Sequence, residues 1–195
     1  MLIAALRPAL SLVVLLLAIT GIAYPLAVSG VARLLFPAQA AGSLVVRDGA
    51  VVGSALIGQP FSRPEYLHPR PSAAGQGYDA TASGGTNKGP TDRTLADSLV
   101  ATAIAAAVRD DGATRGAIPA DYVTSSGSGL DPHLSPASAR VQVARVARVR
   151  GADSTAVRAL VERHIEGRTF GVLGEPRVNV LLANLDLDRT FPVKR

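Results

Sequence analysis

The sequence predicts an α+β protein in which a single N-terminal transmembrane helix precedes one mixed α+β extramembrane domain. Three observations support this fold class: a long uncharged apolar stretch, a hairpin signal directly after it, and a series of marked helix ends followed by an apolar alternation. The mean hydropathy of +0.27, with 48% hydrophobic residues, is also high for a purely soluble chain. Part of the chain is therefore expected in a membrane.

The predicted membrane span covers about residues 8–32, because no residue between Arg7 and Arg33 is charged. As a helix it would be about 37 Å long, against a hydrocarbon core of about 30 Å. We predict a membrane anchor over residues 1–41 and an extramembrane domain over residues 42–195. A cleaved signal peptide is the alternative, with Ala38-Gln39-Ala40 as its cleavage site. The apolar stretch exceeds the usual signal core of about 7–15 residues, which favours a retained anchor.

The domain is predicted to open with a hairpin from Ser43 to Ile57, because Asp48-Gly49 separates two runs of Val, Leu and Ile. The chain from Gly58 to Pro90 is rich in Pro, Gly, Ser and Thr and has no helical or strand period. Loops of this length are disordered or ordered for function. Three large side chains indicate that packing holds parts of this loop: Tyr66, Leu67 and Tyr78.

Three helices are predicted next, each from its end signals. The first runs from Thr91 or Thr94 to Arg109 and is closed by Gly112, and the second starts at Ser135-Pro136 and ends at Gly151. The third opens at Asp153 or Ser154, continues through Glu166 and is closed by Gly167. The closing segment "PRVNVLLANLDLD" predicts a strand from the alternation of its members Val178, Val180, Leu185 and Leu187.

The second predicted helix carries two stripes. Val143, Val146 and Val149 share the apolar one. Arg140, Arg145 and Arg148 gather on the other, which is interpreted as a solvated face or as a site for an acidic partner, with the solvated face favoured.

Composition argues against several kinds of site. The chain has no cysteine, so a disulfide framework and a thiolate metal site are excluded. His68, His133 and His164 lack metal-ligand spacing, and no metal site is predicted. The net charge is +5, but aromatic residues are only 4% and no basic run interleaves with them, so nucleic-acid binding has little support. A basic balance fits anionic lipid or an acidic partner.

The stretch "SSGSGLDPHLSP" raises the question of serine catalysis, because Ser128, Asp131 and His133 lie close together in it. The nucleophile-elbow pattern G-x-S-x-G fails at Ser126, and a triad is normally assembled from separated segments. A membrane-anchored serine hydrolase therefore remains only the alternative function. A connector and partner surface is favoured, since glycines permit positive φ and Ser135-Pro136 starts a helix.

A second polar loop, "SGGTNKGP", precedes the first predicted helix of the domain. Its backbone N–H groups could cradle an anion, with Lys88 adding charge, but the phosphate-loop spacing G-x-x-x-x-G-K-[ST] is missing. A glycine-rich loop without a ligand is the favoured interpretation.

Nearly the whole chain resembles, in order, the C subunit of the bacterial Kdp-type potassium-transporting ATPases. The resemblance is carried by "RPALS", "TGIAYP", "GSALIGQPF", "HPRPSA", "ASGGTNKGP", "PADYVTSSGSGLDPHLSP", "QVARVARVRG" and "GEPRVNVLLANLDLD". No one of these pieces is decisive, but their order and spacing make the match specific.

The resemblance implies a non-catalytic accessory subunit of a potassium uptake complex in the cell membrane. Its implied partners are a potassium-channel-like subunit and a P-type ATPase subunit that carries the hydrolysis, together with membrane lipid. The N-terminus would be cytoplasmic and the main domain on the outer face. The resemblance implies no cofactor of the chain's own.

The family is also described as a catalytic chaperone that raises the ATP affinity of the ATPase subunit. Its S-G-G segment, likened to the signature loop of ABC transporters, corresponds here to Ser83, Gly84 and Gly85, with Asn87 as a further candidate contact for nucleotide or partner. The likeness is partial, because Thr86 follows and the glutamine is missing. A loop outside the membrane could not touch cytoplasmic ATP, so the structural role is favoured. The partner-surface candidates are Ser128, Asp131, His133, Arg140, Arg145 and Arg148.

Overall fold

A computed structural model describes residues 2–193 and divides the chain into two compact units, Met1–Val52 and Gly53–Arg195. The outer ends of the predicted anchor and domain, Met1 and residues 194–195, lie outside the described residues. The architecture is a long N-terminal apolar helix and a mixed domain of helices and short antiparallel strands. The predicted α+β class is confirmed.

The first unit begins with a helical segment made of α1 (Leu2–Ala18), a π-helical turn (Ile19–Ala23) and α2 (Tyr24–Leu35). Residues Ala5–Leu35 are long and apolar enough to span a membrane, as predicted. The π turn ends two residues before Pro25, which has no N–H to donate, and the Tyr24 N–H donates to the Ile19 carbonyl. The irregular turn thus accommodates the proline within a continuous helix.

A short helix, α3 (Pro37–Ala40), leads into the hairpin of β1 (Leu44–Arg47) and β2 (Ala50–Ser54). Asp48 and Gly49 at its turn have φ of 52° and 78°. Positive φ at both central turn residues matches the twist of a two-residue hairpin. The hairpin prediction is confirmed.

The long loop of the second unit is ordered by buried side-chain amides. Asn184 accepts from the Leu67 N–H at 2.8 Å and donates to its carbonyl at 3.0 Å. Gln142 pairs with the next residue, His68, in the same way, at 2.7 and 3.0 Å. Leu67 is fully buried. The prediction that packing holds parts of this loop is therefore confirmed at Leu67.

The first predicted helix consists of a π-helical turn (Leu95–Val100) and α4 (Ala101–Asp111), and it ends at Gly112 with φ of 67° as predicted. The helix starts within the predicted window of Thr91 to Thr94, but the prediction that a threonine side chain caps it is wrong. The cap is Asp92, which accepts the N–H groups of Thr94 and Leu95 at 2.8 and 3.2 Å. A carboxylate at this position reaches two free N–H groups of the first turn and also favours the positive end of the helix dipole. A 3-10 turn (Arg115–Ala117) and α5 (Ala120–Val123) follow.

The strand β3 (His133–Leu134) leads into α6 (Pro136–Arg150), whose predicted ends are confirmed. The Ser135 hydroxyl accepts from the Ser138 N–H at 3.1 Å, and Gly151 has φ of 63°. Helix α7 (Ser154–Arg163) is capped by Asp153 as predicted. Its predicted end at Glu166 is wrong, because Ile165–Glu166 forms β4 and pairs with the next strand.

The closing segment is a strand only at β5 (Arg177–Asn179), after which α8 (Val180–Thr190) begins. The predicted strand through Leu187 is wrong. Asn179 caps the helix by accepting from the Leu182 N–H at 3.2 Å. Val180, Ala183 and Leu187 then recur at helical spacing, and all three are buried.

The core lies between α6, α7, α8 and a three-stranded antiparallel sheet of order β3-β5-β4. His133 pairs with Asn179 and Ile165 with Val178 in the sheet register. The buried apolar cluster is Leu67, Leu134, Ala139, Val143, Val146, Ala147, Val157, Leu160, Val161, Val178, Val180, Ala183 and Leu187. Val149 departs from its predicted apolar stripe and is 37% exposed.

Candidate functional site

The two polar loops that the sequence singles out meet in the structure. The Gly84 N–H and the Ser83 hydroxyl both donate to the Ser128 carbonyl, at 2.9 and 3.0 Å. The Ser72 hydroxyl donates to the Gly129 carbonyl at 2.6 Å and ties in the preceding part of the long loop. We call this contact of residues 83–85 with residues 126–129 the loop junction.

Glycines make the loop junction possible. A Cβ on Gly129 would lie 2.5 Å from the Gly84 carbonyl oxygen and 2.7 Å from the Ala74 nitrogen, and φ of this residue is +66°. A Cβ on Gly85 would lie 3.0 Å from the Gly127 carbonyl oxygen. Close backbone approach and positive φ are the two conditions that call for glycine. The glycine at 129 meets both of them.

Ser128 is not arranged as a nucleophile. Its hydroxyl accepts from the Leu130 N–H at 3.1 Å and lies 3.4 Å from the Ser126 hydroxyl. His133 Nδ1 lies instead 3.3 Å from Asp131 Oδ1. Within residues 2–193 no hydrogen bond joins the serine to the histidine, which a serine–histidine mechanism requires. The geometry gives the serine a turn-forming role.

Asp131 contacts both Arg70 and His133 at the edge of an open cleft. Its other carboxylate oxygen lies 3.1 Å from Arg70 Nη1, and the same arginine donates to the carbonyls of Thr124 and Ser125. Partial burial opposes ionisation, but the hydrogen bonds from His133 and the charge of Arg70 hold the pKa of Asp131 below its usual value. The carboxylate is therefore ionised at neutral pH.

The cleft has a volume of about 320 Å³ and mixed charge. It is lined by Arg70, Asp121, Asp131, His133, Leu134, Ser135, Glu175, Pro176 and Arg177. Both carboxylates and arginines line it, so polar groups of a partner could pair with either sign. Asp131 and His133 thus lie on an accessible surface, and their role in partner contact stays a prediction.

The three predicted arginines of α6 do not form one solvated face. Arg140 is half-exposed and pairs with Glu162 at 2.6 Å, and Arg148 lies near the Asp110 carbonyl at 3.4 Å. Arg145 is only 2% exposed, so its assignment to an accessible stripe is wrong. A guanidinium can be buried when a carboxylate pairs with it and hydrogen bonds satisfy its donors. Here that carboxylate is Asp111.

Arg145 is the centre of a buried polar network. Its Nε donates to Asp111 at 2.7 Å, and Tyr122 donates to the other oxygen of the same carboxylate at 2.5 Å. The remaining guanidinium donors reach the carbonyls of Pro64 and Tyr66 and the side chain of Gln142. Both charges and their hydrogen-bonding atoms are thus paired inside the domain. Such a network fixes the start of the long loop against α4 and α6.

The other predicted anion-site residues are placed as follows. Asn87 adopts the left-handed conformation, with φ of 53°. Lys88 Nζ pairs with Asp92 at 3.1 Å, so its charge is directed to the helix cap. Since the Ser83 hydroxyl and the Gly84 N–H are also engaged at the loop junction, two of the predicted cradle donors already have protein acceptors.

Sequence reasoning missed two arginines that organise this region. Arg70 holds the 124–131 loop, and Arg150 donates to the carbonyls of Glu65 and Phe191 and to Asp188. Arg70 was part of the quoted motif "HPRPSA", but nothing local distinguishes it from a solvated arginine. Their partners lie 38 to 85 positions away along the chain, so no local pattern could have identified them.

Stability of the purified chain should fall as pH falls below about 6.5, the ordinary histidine value. Burial, and then the charge of Arg145 at 3.4 Å, lowers the pKa of His68 in the folded state, although the Arg63 carbonyl and the Asp111 and Asp110 carboxylates oppose this. The unfolded chain therefore binds the proton first, so stability present above the unfolded pKa is lost as pH falls through the folded pKa.

The measurement is the denaturant midpoint of the full chain in mild detergent between pH 5 and 8. The variant His68→Gln should flatten the profile over this window. If the pH dependence of the midpoint were the same in His68→Gln as in the unmodified chain, groups other than His68 would be its cause.

An α+β domain whose two polar loops meet at glycines, preceded by a helix long and apolar enough to span a membrane, defines a class of protein with one candidate membrane span and one mixed domain. The family model described as "K+-transporting ATPase, c chain" (KdpC) matches residues 6–189. The chain belongs to this family.

Curated relatives align with this chain over nearly its full length. The chain is 61% identical to the potassium-transporting ATPase KdpC subunit of Gemmatimonas aurantiaca over 184 residues, covering 94% of this chain and 92% of the relative. It is 55% identical to the KdpC subunit of Rhodospirillum rubrum, covering 96% and 97%. For the KdpC subunit of Myxococcus xanthus the identity is 57%, covering 94% and 87%.

Proposed function

We propose that the chain is an accessory, non-catalytic subunit of an ATP-driven high-affinity potassium uptake complex and is needed for its assembly and activity. The observation that carries the proposal is the family match over residues 6–189, together with relatives named as KdpC subunits at 55–61% identity. Its partners would be a potassium-channel-like subunit, a P-type ATPase subunit that carries the hydrolysis, and membrane lipid.

The loop junction supports a connector role for the sites predicted from sequence. Ser128 acts through its carbonyl on Ser83 and Gly84, and its hydroxyl supports the following turn. A preorganised surface of this kind lowers the cost of ordering loops when a partner binds. We assign Ser128, Asp131 and His133 to that surface, with Arg140 and Arg148 as further exposed candidates, and remove Arg145 because it is buried.

A catalytic-chaperone role would require the chain to raise the ATP affinity of the ATPase subunit. Direct ATP contact through Ser83, Gly84, Gly85 and Asn87 is not favoured, because the first two already donate to the Ser128 carbonyl. A phosphate would have to compete with that protein acceptor for the same donors. We propose instead that any effect on ATP use passes through the contact with the partner subunit.

The experiment that tests the function is isolation of the tagged full chain from its native membrane in mild detergent. Mass spectrometry should identify the channel-like and ATPase subunits with it. Recovery of the chain alone would contradict the proposal. If the potassium-stimulated ATPase activity of the complex persisted after deletion of the chain, the proposed requirement of the chain for activity would be wrong.

Orientation gives a second test. We propose a cytoplasmic N-terminus and an outward domain, so protease added to intact spheroplasts should cut the exposed loop around Asp79–Ala82. In sealed inverted vesicles the same loop should be protected until detergent is added. The opposite pattern would place the domain in the cytoplasm and reopen direct ATP contact through Ser83 to Asn87.

A further inference from the structure

The turn between β4 and β5 exposes large apolar side chains at its end. Phe170 is 89% exposed, Val172 70% and Leu173 59%. We call these three side chains the apolar tip. Apolar residues scattered singly on a surface are ordinary, but here three exposed ones lie within four positions of a single turn.

The apolar tip is held in one conformation by its own backbone. The N–H groups of Thr169 and Leu173 each donate to the other's carbonyl at 2.9 Å, and the Gly171 N–H donates to the Arg168 carbonyl at 3.0 Å. Phe170 lies in the left-handed region with φ of 54°. A bulky residue is costly there, and such strain persists at ligand clamps and binding sites. The turn therefore presents an aromatic side chain at a conformational cost.

Charge around the apolar tip is balanced. Residues 165–177 contain two arginines and two glutamates, so their formal charge is zero. Arg168 pairs with Glu175 at 2.7 Å, and Arg177 pairs with Glu166 across the strands at 2.9 Å. A segment built to bind anionic lipid would carry unpaired basic residues at its rim. The zero net charge of this segment instead fits a receptor that offers an uncharged apolar pocket with a polar rim.

The tip is also continuous with the surface already assigned to partner contact. Glu175 and Arg177, at its base, line the same cleft as Asp131 and His133. Hot spots of protein interfaces are aromatic anchors in pockets, surrounded by polar contacts that exclude water. Phe170 has the position of the anchor, and the paired charges at its base have the position of the rim.

We propose that the apolar tip inserts Phe170 into an uncharged apolar pocket on another protein subunit of the complex. This inference rests on the proposed function and adds to it the segment that docks and the chemistry of its receptor. Because backbone hydrogen bonds already fix the turn, little conformational entropy of this segment is lost on binding.

The first test places a photoreactive benzoylphenylalanine at position 170 in the full chain, expressed with its complex. Irradiation should yield an adduct with a protein subunit, mapped by mass spectrometry. The same group at Arg109, a highly exposed position on α4, serves as the control. Adducts with lipid alone, or none at 170 in a complex that co-purifies normally, would overturn the inference. Failure of the unmodified chain to co-purify with any subunit would instead overturn the proposed function.

The second test measures dissociation of the chain from the purified complex. Phe170→Glu should speed release about 30-fold or more, as for a hot-spot residue, whereas Phe170→Leu should keep most of the affinity. Leu99→Glu introduces the same charge at another exposed apolar residue and should have little effect. Because Phe170 is exposed, the melting temperature of the free chain should not fall. Equal release by Leu99→Glu and Phe170→Glu, or no change in either, would contradict the proposal.

Discussion

Replacing Arg145 with leucine should lower the free energy of unfolding of the chain by about 3–5 kcal/mol. Arg145 and Asp111 are joined at 2.7 Å, with side chains only 3% and 1% exposed. Removing the cation leaves a buried carboxylate without its counter-charge and two loop carbonyls, those of Pro64 and Tyr66, without their donor. The loss of stability comes mainly from these buried groups, which are left without a hydrogen-bond partner.

The measurement is denaturant unfolding of the purified full chain in mild detergent. Arg140→Leu is the matched control, because it removes an arginine of the same helix whose pair with Glu162 is largely solvated. Its effect should stay below about 1 kcal/mol. Adding Asp111→Leu to Arg145→Leu should recover part of the loss, since the unpaired charge is then gone. Equal effects of Arg145→Leu and Arg140→Leu would contradict a buried role for Arg145.

Replacing Gly129 with valine should separate the two polar loops and reduce recovery of the chain with its complex. Positive φ alone costs a non-glycine residue about 1–2 kcal/mol, and more for a β-branched one. The new Cβ would also lie 2.5 Å from the Gly84 carbonyl oxygen and 2.7 Å from the Ala74 nitrogen, so the backbone must move. We expect a combined loss above about 2 kcal/mol.

Potassium-stimulated ATP hydrolysis and the amount of chain recovered with the ATPase subunit are measured together. Both should fall in Gly129→Val, while activity per assembled complex is largely kept. Gly127→Val is the matched control, because a Cβ there meets nothing within 4 Å. Ser128→Ala should also be mild, since the Ser128 carbonyl that holds Ser83 and Gly84 remains. A normally assembled Ser128→Ala complex without ATPase activity would give the serine a role in turnover and contradict this account.

Features whose cause lies within a few residues were predictable from the sequence. The uncharged run of the N-terminal helix, the Asp48-Gly49 turn, the Ser135-Pro136 helix start and the Gly112 and Gly151 helix ends all depend on local charge, positive φ or a local cap. The polar loops of the candidate site could also be recognised from their glycines. The contact between the two loops could not be predicted, because the hydrogen bond from Gly84 to Ser128 joins segments that are separate in the sequence.

The tertiary structure decided every feature that depends on a distant partner. Ile165–Glu166 leaves the helix because β5 offers ladder hydrogen bonds that the helix end cannot match. The segment after Asn179 is apolar at both strand and helix spacing, and the helix forms where Val180, Ala183 and Leu187 can all face the core. The periodic pattern of α6 cannot tell a buried arginine from a solvated one. Arg145 turns inward only because Asp111, 34 residues earlier, supplies the charge that makes burial of a guanidinium tolerable.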